Sequence, residues 1–174
     1  MSENKVNVFD PNREAELREA IEDFFFGYRA FTALPDRLLA ERGLGRTHHR
    51  ILHFVRRDDG LSIGELLDIL GITKQALHRP IKDLEGQGLI AIAPDVNDRR
   101  VRRLTITDDG RTLEAELTAA QMRLLDDVFR QAGSGAETSW RAVMELLRAD
   151  PLDQDARALS TFTTTAAHAP ISGG

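Results

Sequence analysis

Apolar side chains recur at three- and four-residue steps from residue 12 to residue 33. Leu17, Ile21, Phe24, Phe25, Tyr28 and Phe31 form one face, and Glu14, Arg18, Glu22 and Arg29 occupy the other. That period is the mark of an amphipathic helix. Pro11 stands where a first-turn proline is tolerated. Pro35 is expected to break or kink the pattern, with Asp36 restarting a short helix to Arg42 before Gly43 and Gly45 end it.

Thr47 is placed to cap the next helix, whose apolar stripe is Ile51, Leu52, Phe54 and Val55. Asp58-Asp59-Gly60 reads as a turn. Ser62 and Glu65 then stand three apart before Leu66, Leu67 and Leu70, the spacing of a reciprocal capping box. Gly71 closes this short helix. Thr73 caps another, with Leu77, Ile81 and Leu84 on its buried stripe, ending near Gly86-Gln87-Gly88.

The period then changes. Residues 89–93 and 101–107 read as two strands, and the polar stretch 94–100 between them makes a β-hairpin. A long helix follows from Asp108 to about Gln131, carrying Leu113, Leu117, Ala120, Leu124, Leu125 and Val128. Gly133-Ser134-Gly135 separates it from a last helix, about 137–149, with Trp140, Val143, Met144 and Leu147. The expected fold class is mainly α: a winged helix-turn-helix with long N- and C-terminal dimerisation helices and one β-hairpin wing. Four regions follow: 12–45, an N-terminal dimerisation helix region; 46–107, a winged helix-turn-helix; 108–150, C-terminal dimerisation helices; and 151–174, an extension read as a flexible tail.

Charge sharpens the middle region. The 174-residue chain has a net charge of −5, yet residues 46–104 carry +3 between flanks of −3 and −5. Whole-chain charge speaks to solubility, while a local basic stretch can still meet phosphates. The chain has no cysteine, which excludes disulfides, thiolate catalysis and cysteine-ligated metals. With no signal-like start and no apolar run of about 18 residues, the expected setting is cytoplasmic, without a membrane partner.

Two short helices joined by a tight turn, with a hairpin directly after the second, describe a winged helix-turn-helix. The second helix offers Thr73, Lys74, Gln75, Ala76, His78 and Arg79 to a major groove about 12 Å wide. Gln suits adenine and Arg suits guanine there. Arg99 and Arg100 at the hairpin tip suit the negative potential of a narrow minor groove. Arg102 and Arg103 point to opposite faces of a strand, so only one of them can turn toward DNA.

Ser62-Ile63-Gly64-Glu65-Leu66, Leu84-Glu85-Gly86-Gln87-Gly88-Leu89-Ile90, Asp98-Arg99-Arg100 and Leu104-Thr105-Ile106-Thr107-Asp108-Asp109-Gly110 together resemble the MarR family of bacterial transcription regulators. That family's signature is an Asp-x-Arg wing followed by a Leu-Thr-x-x-Gly-type start of the next helix. The resemblance covers roughly residues 12–150. It implies a homodimer with interlocked terminal helices, a pseudo-palindromic duplex operator and, in most members, repression. It also implies release from DNA by a small aromatic effector in many members, with the effector residues left unknown here. By the same resemblance Arg100 enters the minor groove and Asp98 fixes it by an ion pair.

Phe24, Phe25, Tyr28, Phe31, Trp140, Val143 and Leu147 are the expected dimerisation residues, because one small core cannot cover them all. His49 and His53 stand four apart with His48 beside them, a spacing open to metal. Without an evident third ligand, the expectation is an interface or pocket wall and no metal. No phosphate loop, nucleophile elbow or zinc-protease motif is present, so neither enzyme nor cofactor is expected. Pro80 departs from the family pattern by removing the bond to the Ala76 carbonyl. If it bends the helix out of reach of a groove, the alternative is a winged-helix protein–protein interaction module without DNA binding.

Overall fold

The computed structural model describes residues 9–149, so the expected tail at 151–174 lies outside the described residues. The elements are α1 (Pro11–Ala40), α2 (Arg46–Arg57), β1 (Leu61–Ser62), α3 (Ile63–Leu70), α4 (Lys74–Gly86), β2 (Ile90–Pro94), β3 (Arg102–Ile106), α5 (Asp108–Ala132) and α6 (Ala136–Leu147). The mainly helical winged architecture expected from the pattern is present. Packing groups the chain into two units, Met1–Leu125 and Asp126–Gly174.

The first unit holds the core. Leu39 of α1, Ile51, Leu52 and Val55 of α2, Leu66 of α3, and Leu77 and Leu84 of α4 meet Ile90, Leu104 and Leu117 there. The sheet has the order β1-β3-β2 and is antiparallel throughout. Ile90 pairs with Ile106 and Pro94 with Arg102, while Leu61 pairs with Leu104. β1 is an addition to the expected two-stranded hairpin. Pro94 sits at the end of the edge strand β2, where a missing N–H is tolerated.

Two proline expectations are corrected. α1 runs unbroken through Pro35, with no restart at Asp36. Thr32, Pro35 and Leu39 form one buried stripe, and the Thr32 hydroxyl donates to the Tyr28 carbonyl at 3.1 Å. Packing of that stripe outweighs one lost backbone bond. α4 likewise continues through Pro80. Leu77, Ile81 and Leu84 remain buried on both sides of it.

A third correction concerns α2. Its N-cap is Gly45, and the ring Nδ1 of His48 accepts the Gly45 N–H at 2.9 Å. Thr47 lies inside the first turn rather than capping it. The other caps follow the pattern. Ser62 Oγ accepts the Glu65 N–H at 3.2 Å, and Glu65 Oε2 accepts the Ser62 N–H at 2.8 Å. Gly71 takes the left-handed conformation after α3, with φ of 61°.

The junction of β3 and α5 is tight. Thr107 donates its hydroxyl hydrogen to the Gly88 carbonyl at 2.6 Å and accepts the Gly110 N–H at 3.1 Å. Gly110 presses on the Leu89 carbonyl so closely that a Cβ there would lie 2.0 Å from its oxygen. In the second unit the end of α5 meets α6 through an edge-to-face pair, Phe129 and Trp140, with ring centres 5.6 Å apart. α6 buries none of its residues.

Candidate nucleic-acid interface

α4 is held by its buried stripe and started by Thr73, whose Oγ1 accepts the Ala76 N–H at 3.2 Å. Burying Leu77, Ile81 and Leu84 turns Thr73, Lys74, Gln75, Ala76, His78 and Arg79 to solvent, as a reading helix requires. Asp83 ties the helix to α2. Its Oδ2 lies 3.4 Å from His48 Nε2 and 3.7 Å from Arg79 Nε. Because Nδ1 of His48 accepts from Gly45, Nε2 carries the hydrogen and donates to Asp83.

The structure also settles which arginine of β3 turns toward α4. Arg102 lines a small cleft of about 200 Å3 together with Lys74, His78 and Lys82. Arg103 points instead to the opposite face of the strand, toward Asp95 and Gly60. Lys82 and Arg102 thus add two exposed cations beside the residues expected on this face. The spacing of Lys74, His78 and Lys82 at four-residue steps was the available signal.

The wing tip is ordered by two aspartates. Asp95 Oδ1 accepts the N–H groups of Asn97 and Asp98 at 2.8 and 3.1 Å. Arg103 on its other oxygen and those two N–H groups hold the Asp95 carboxyl down to about 2. Asp98 Oδ1 accepts the Arg100 N–H at 3.0 Å, and the Arg100 guanidinium lies 3.1 and 3.2 Å from its two oxygens. Those contacts, the guanidinium first, lower the Asp98 pKa. Arg100 stays 91% exposed. Arg99 is exposed as well.

A second feature lies behind the helix-turn-helix. Tyr28, Phe31, Arg46, His49, Arg50 and Phe54 line an open cleft of about 500 Å3. Arg50 donates to the Tyr28 hydroxyl at 2.9 Å, Arg46 stacks over the Tyr28 ring at 5.4 Å, and Arg46 Nε donates to Asp36 at 2.8 Å. Burial, with the charge of His53 second, lowers the His49 pKa. His53 turns toward Glu114 of α5, and no group of three metal-ligand side chains is present among the described residues.

Of the expected dimerisation residues, Phe24 and Phe25 are 59% and 56% exposed, and Trp140 is 40% exposed. Tyr28, Val143 and Leu147 are exposed too, whereas Phe31 is half-buried on the cleft wall.

These features define a winged helix-turn-helix protein of the kind that regulates transcription. The comparisons agree. A family model described as "MarR family" matches residues 42–101. The chain is 41% identical to the HTH-type transcriptional regulator PetP of Rhodobacter capsulatus, over 77% of this chain and 81% of that one. It is 35% identical to the transcriptional activatory protein BadR of Rhodopseudomonas palustris, over 71% and 74%. The structure of Bordetella bronchiseptica BpsR, whose DNA binding is regulated by 6-hydroxynicotinic acid, matches with a TM-score of 0.57 at 22% identity, covering 75% of this chain and 96% of that one. This chain belongs to the MarR family of transcriptional regulators. No helix among the described residues is long and apolar enough to cross a membrane.

Proposed function

We propose that the protein binds a pseudo-palindromic duplex operator as a homodimer and represses transcription until a small aromatic molecule releases it. Each protomer lays α4 in a major groove through Thr73, Lys74, Gln75, Ala76, His78 and Arg79, with Lys82 and Arg102 beside them. Arg99 and Arg100 reach the adjacent minor groove, Arg100 steadied by Asp98. The observation that carries this reading is α4 itself. It is one helix through Pro80, pinned by Leu77, Ile81 and Leu84, with its cationic face exposed. Nothing in α4 favours the DNA-free interaction module, because the helical run and its buried stripe continue on both sides of Pro80.

The terminal helices, 12–45 and 108–150, form the dimer in this reading. Exposed rings at Phe24, Phe25 and Trp140 suit a large apolar interface. The effector enters the cleft between Tyr28, His49 and Arg50, whose arginines and rings suit an aromatic acid. BpsR offers a precedent for such control in its own DNA binding.

The test is duplex DNA selected by the protein from the genome beside which its gene lies, titrated from 50 to 200 mM salt. If about 6–8 cationic groups per dimer meet phosphate, log K against log salt has a slope of about −5 to −7. Half-sites about 10 bp apart, centre to centre, are both required. A flat salt response, or equal affinity for one half-site, overturns the reading. A promoter reporter then gives the direction of regulation.

A further inference from the structure

Arg103 occupies the middle strand of the sheet, paired with Ser62 on one side and Ala93 on the other. Leu104 and Ile106 on the alternating register are buried, while Arg103 points to the face away from them. Its guanidinium spans three separate pieces of chain. Nε donates to Asp95 Oδ2 at 2.7 Å, at the root of the wing. Nη1 donates to the Gly60 carbonyl at 3.1 Å, in the turn before β1. The same nitrogen lies 3.4 Å from Glu65 Oε2, the carboxylate that caps α3.

The chain of contacts continues outward. Asp95, fixed by Arg103 on one oxygen, uses the other to hold the N–H groups of Asn97 and Asp98. Asp98 then holds both the backbone and the guanidinium of Arg100. An unbroken run of hydrogen bonds thus leads from the N-terminus of α3 to the exposed tip of the wing.

We infer that Arg103 is a positioning residue for DNA binding: it braces the wing against the start of the helix-turn-helix, so that Arg100 is held in place before DNA arrives. This rests on the DNA-binding reading above. Arg103 is 39% exposed and already engaged by protein acceptors, against 91% for Arg100, so it is not itself a groove contact. A hairpin tip ordered in advance loses less conformational freedom on binding, and affinity rises accordingly. Lysine cannot take over the role. A single ammonium does not reproduce the planar fork that reaches Asp95 and Gly60 at once.

The experiment uses a duplex selected by the wild-type protein from a random-sequence 40 bp pool, with affinities read by fluorescence anisotropy. Arg103→Ala is expected to weaken binding about tenfold through loss of pre-ordering. Arg103→Lys is expected to behave like Arg103→Ala, and Asp95→Asn to weaken binding in the same sense. The pair Arg100→Ala/Arg103→Ala is expected to bind within about twofold of Arg100→Ala alone, because residues acting as one unit are not additive. Hydrogen exchange in the intact protein is expected to quicken at the Asn97 and Asp98 amides in Arg103→Lys while the Leu84 amide stays protected. The inference is overturned by wild-type affinity in Arg103→Lys, by losses that multiply in the pair, or by unchanged wing exchange. Failure of the wild type to select any duplex overturns the DNA-binding reading instead, and the exchange arm still decides whether Arg103 braces the wing.

Discussion

Glu114 Oε1 of α5 lies 3.2 Å from the ring Nδ1 of His53 on α2, and the carboxylate that makes this contact is only 3% exposed. Arg56 donates to its other oxygen and the Thr118 hydroxyl donates at 2.6 Å. A buried acid thus ties the helix after the wing to the helix before the helix-turn-helix. Burial pushes the Glu114 pKa up, but the bonds from Thr118, His53 and Arg56 more than offset it, and the net shift is downward.

Acid sensitivity follows from that direction. A carboxylate with a depressed folded pKa contributes stability that is whole above its ordinary value of 4.5 and is lost as pH falls through the lower folded value. Urea unfolding between about pH 6 and about pH 3 is expected to show this loss, and Glu114→Gln to make it shallower. At neutral pH the same variant is expected to be less stable by about 1–3 kcal/mol, because the amide leaves Arg56 and His53 poorly matched.

His49 acts in a higher window. Its folded pKa lies below 6.5, so the folded protein takes up that proton less readily than the unfolded chain. Its neutral form is favoured by folding, and stability falls as pH drops below about 6.5. His49→Phe is expected to remove that part of the pH profile, read as the midpoint of thermal unfolding at about pH 7 and about pH 5.5.

Gly110→Ala is expected to destabilise strongly. The added methyl group meets the Leu89 carbonyl oxygen at 2.0 Å, and backbone cannot swing aside as a flexible side chain does. Overpacking of an ordinary core costs about 1–3 kcal/mol. The variant is expected at or beyond the upper end of that range by urea denaturation, with the β2–β3 hairpin amides losing exchange protection.

Pro80→Ala restores an N–H for the Ala76 carbonyl within a helix that already continues through the position. Stability is expected to rise by about 1–2 kcal/mol, below the full cost of about 3 kcal/mol for a helix-interior proline, because the unfolded chain also gains freedom. A lower midpoint in urea contradicts the unbroken helix.

Arg100→Ala is expected to weaken operator binding while changing stability by no more than about 0.5 kcal/mol, since the side chain is exposed. Asp98→Ala is expected to weaken binding less, by freeing Arg100 rather than removing it. Anisotropy titrations beside thermal melts measure both effects. Operator affinity equal to wild type in Arg100→Ala contradicts the wing assignment.

Local chemistry made α4 legible as a helix. Thr73, its cap, stands next to the helix it starts, and Leu77, Ile81 and Leu84 repeat at helical spacing whatever lies elsewhere in the chain. The Ser62–Glu65 box was legible for the same reason, since both partners lie within one turn. What escaped notice depends on distant contacts. Pro35 stays in a helix because its ring is buried with Leu39. β1 has two residues and exists through Leu104 and Arg103, far along the chain. His48 in place of Thr47 satisfies the start of α2, a choice that needs the ring turned toward Gly45. Glu114 carries a charge, so only its place among Gly110, Leu113 and Leu117 on one helical face hints at burial. Strand alternation leaves the face of Arg103 open, and its bonds to Asp95 and Gly60, both outside β3, fix it.

The pairing of Leu61 with Leu104 encloses both helices of the helix-turn-helix and the tip of the wing within one loop of chain. A ribosome releases the chain from its N-terminal end, and long-range pairings close only when both strands exist. α3 and α4 therefore emerge with β1 unpaired and wait for β3. During synthesis the helix-turn-helix cannot be finished ahead of its wing, and a ribosome stalled before Leu104 holds a nascent chain whose reading helix lacks the sheet that fixes it.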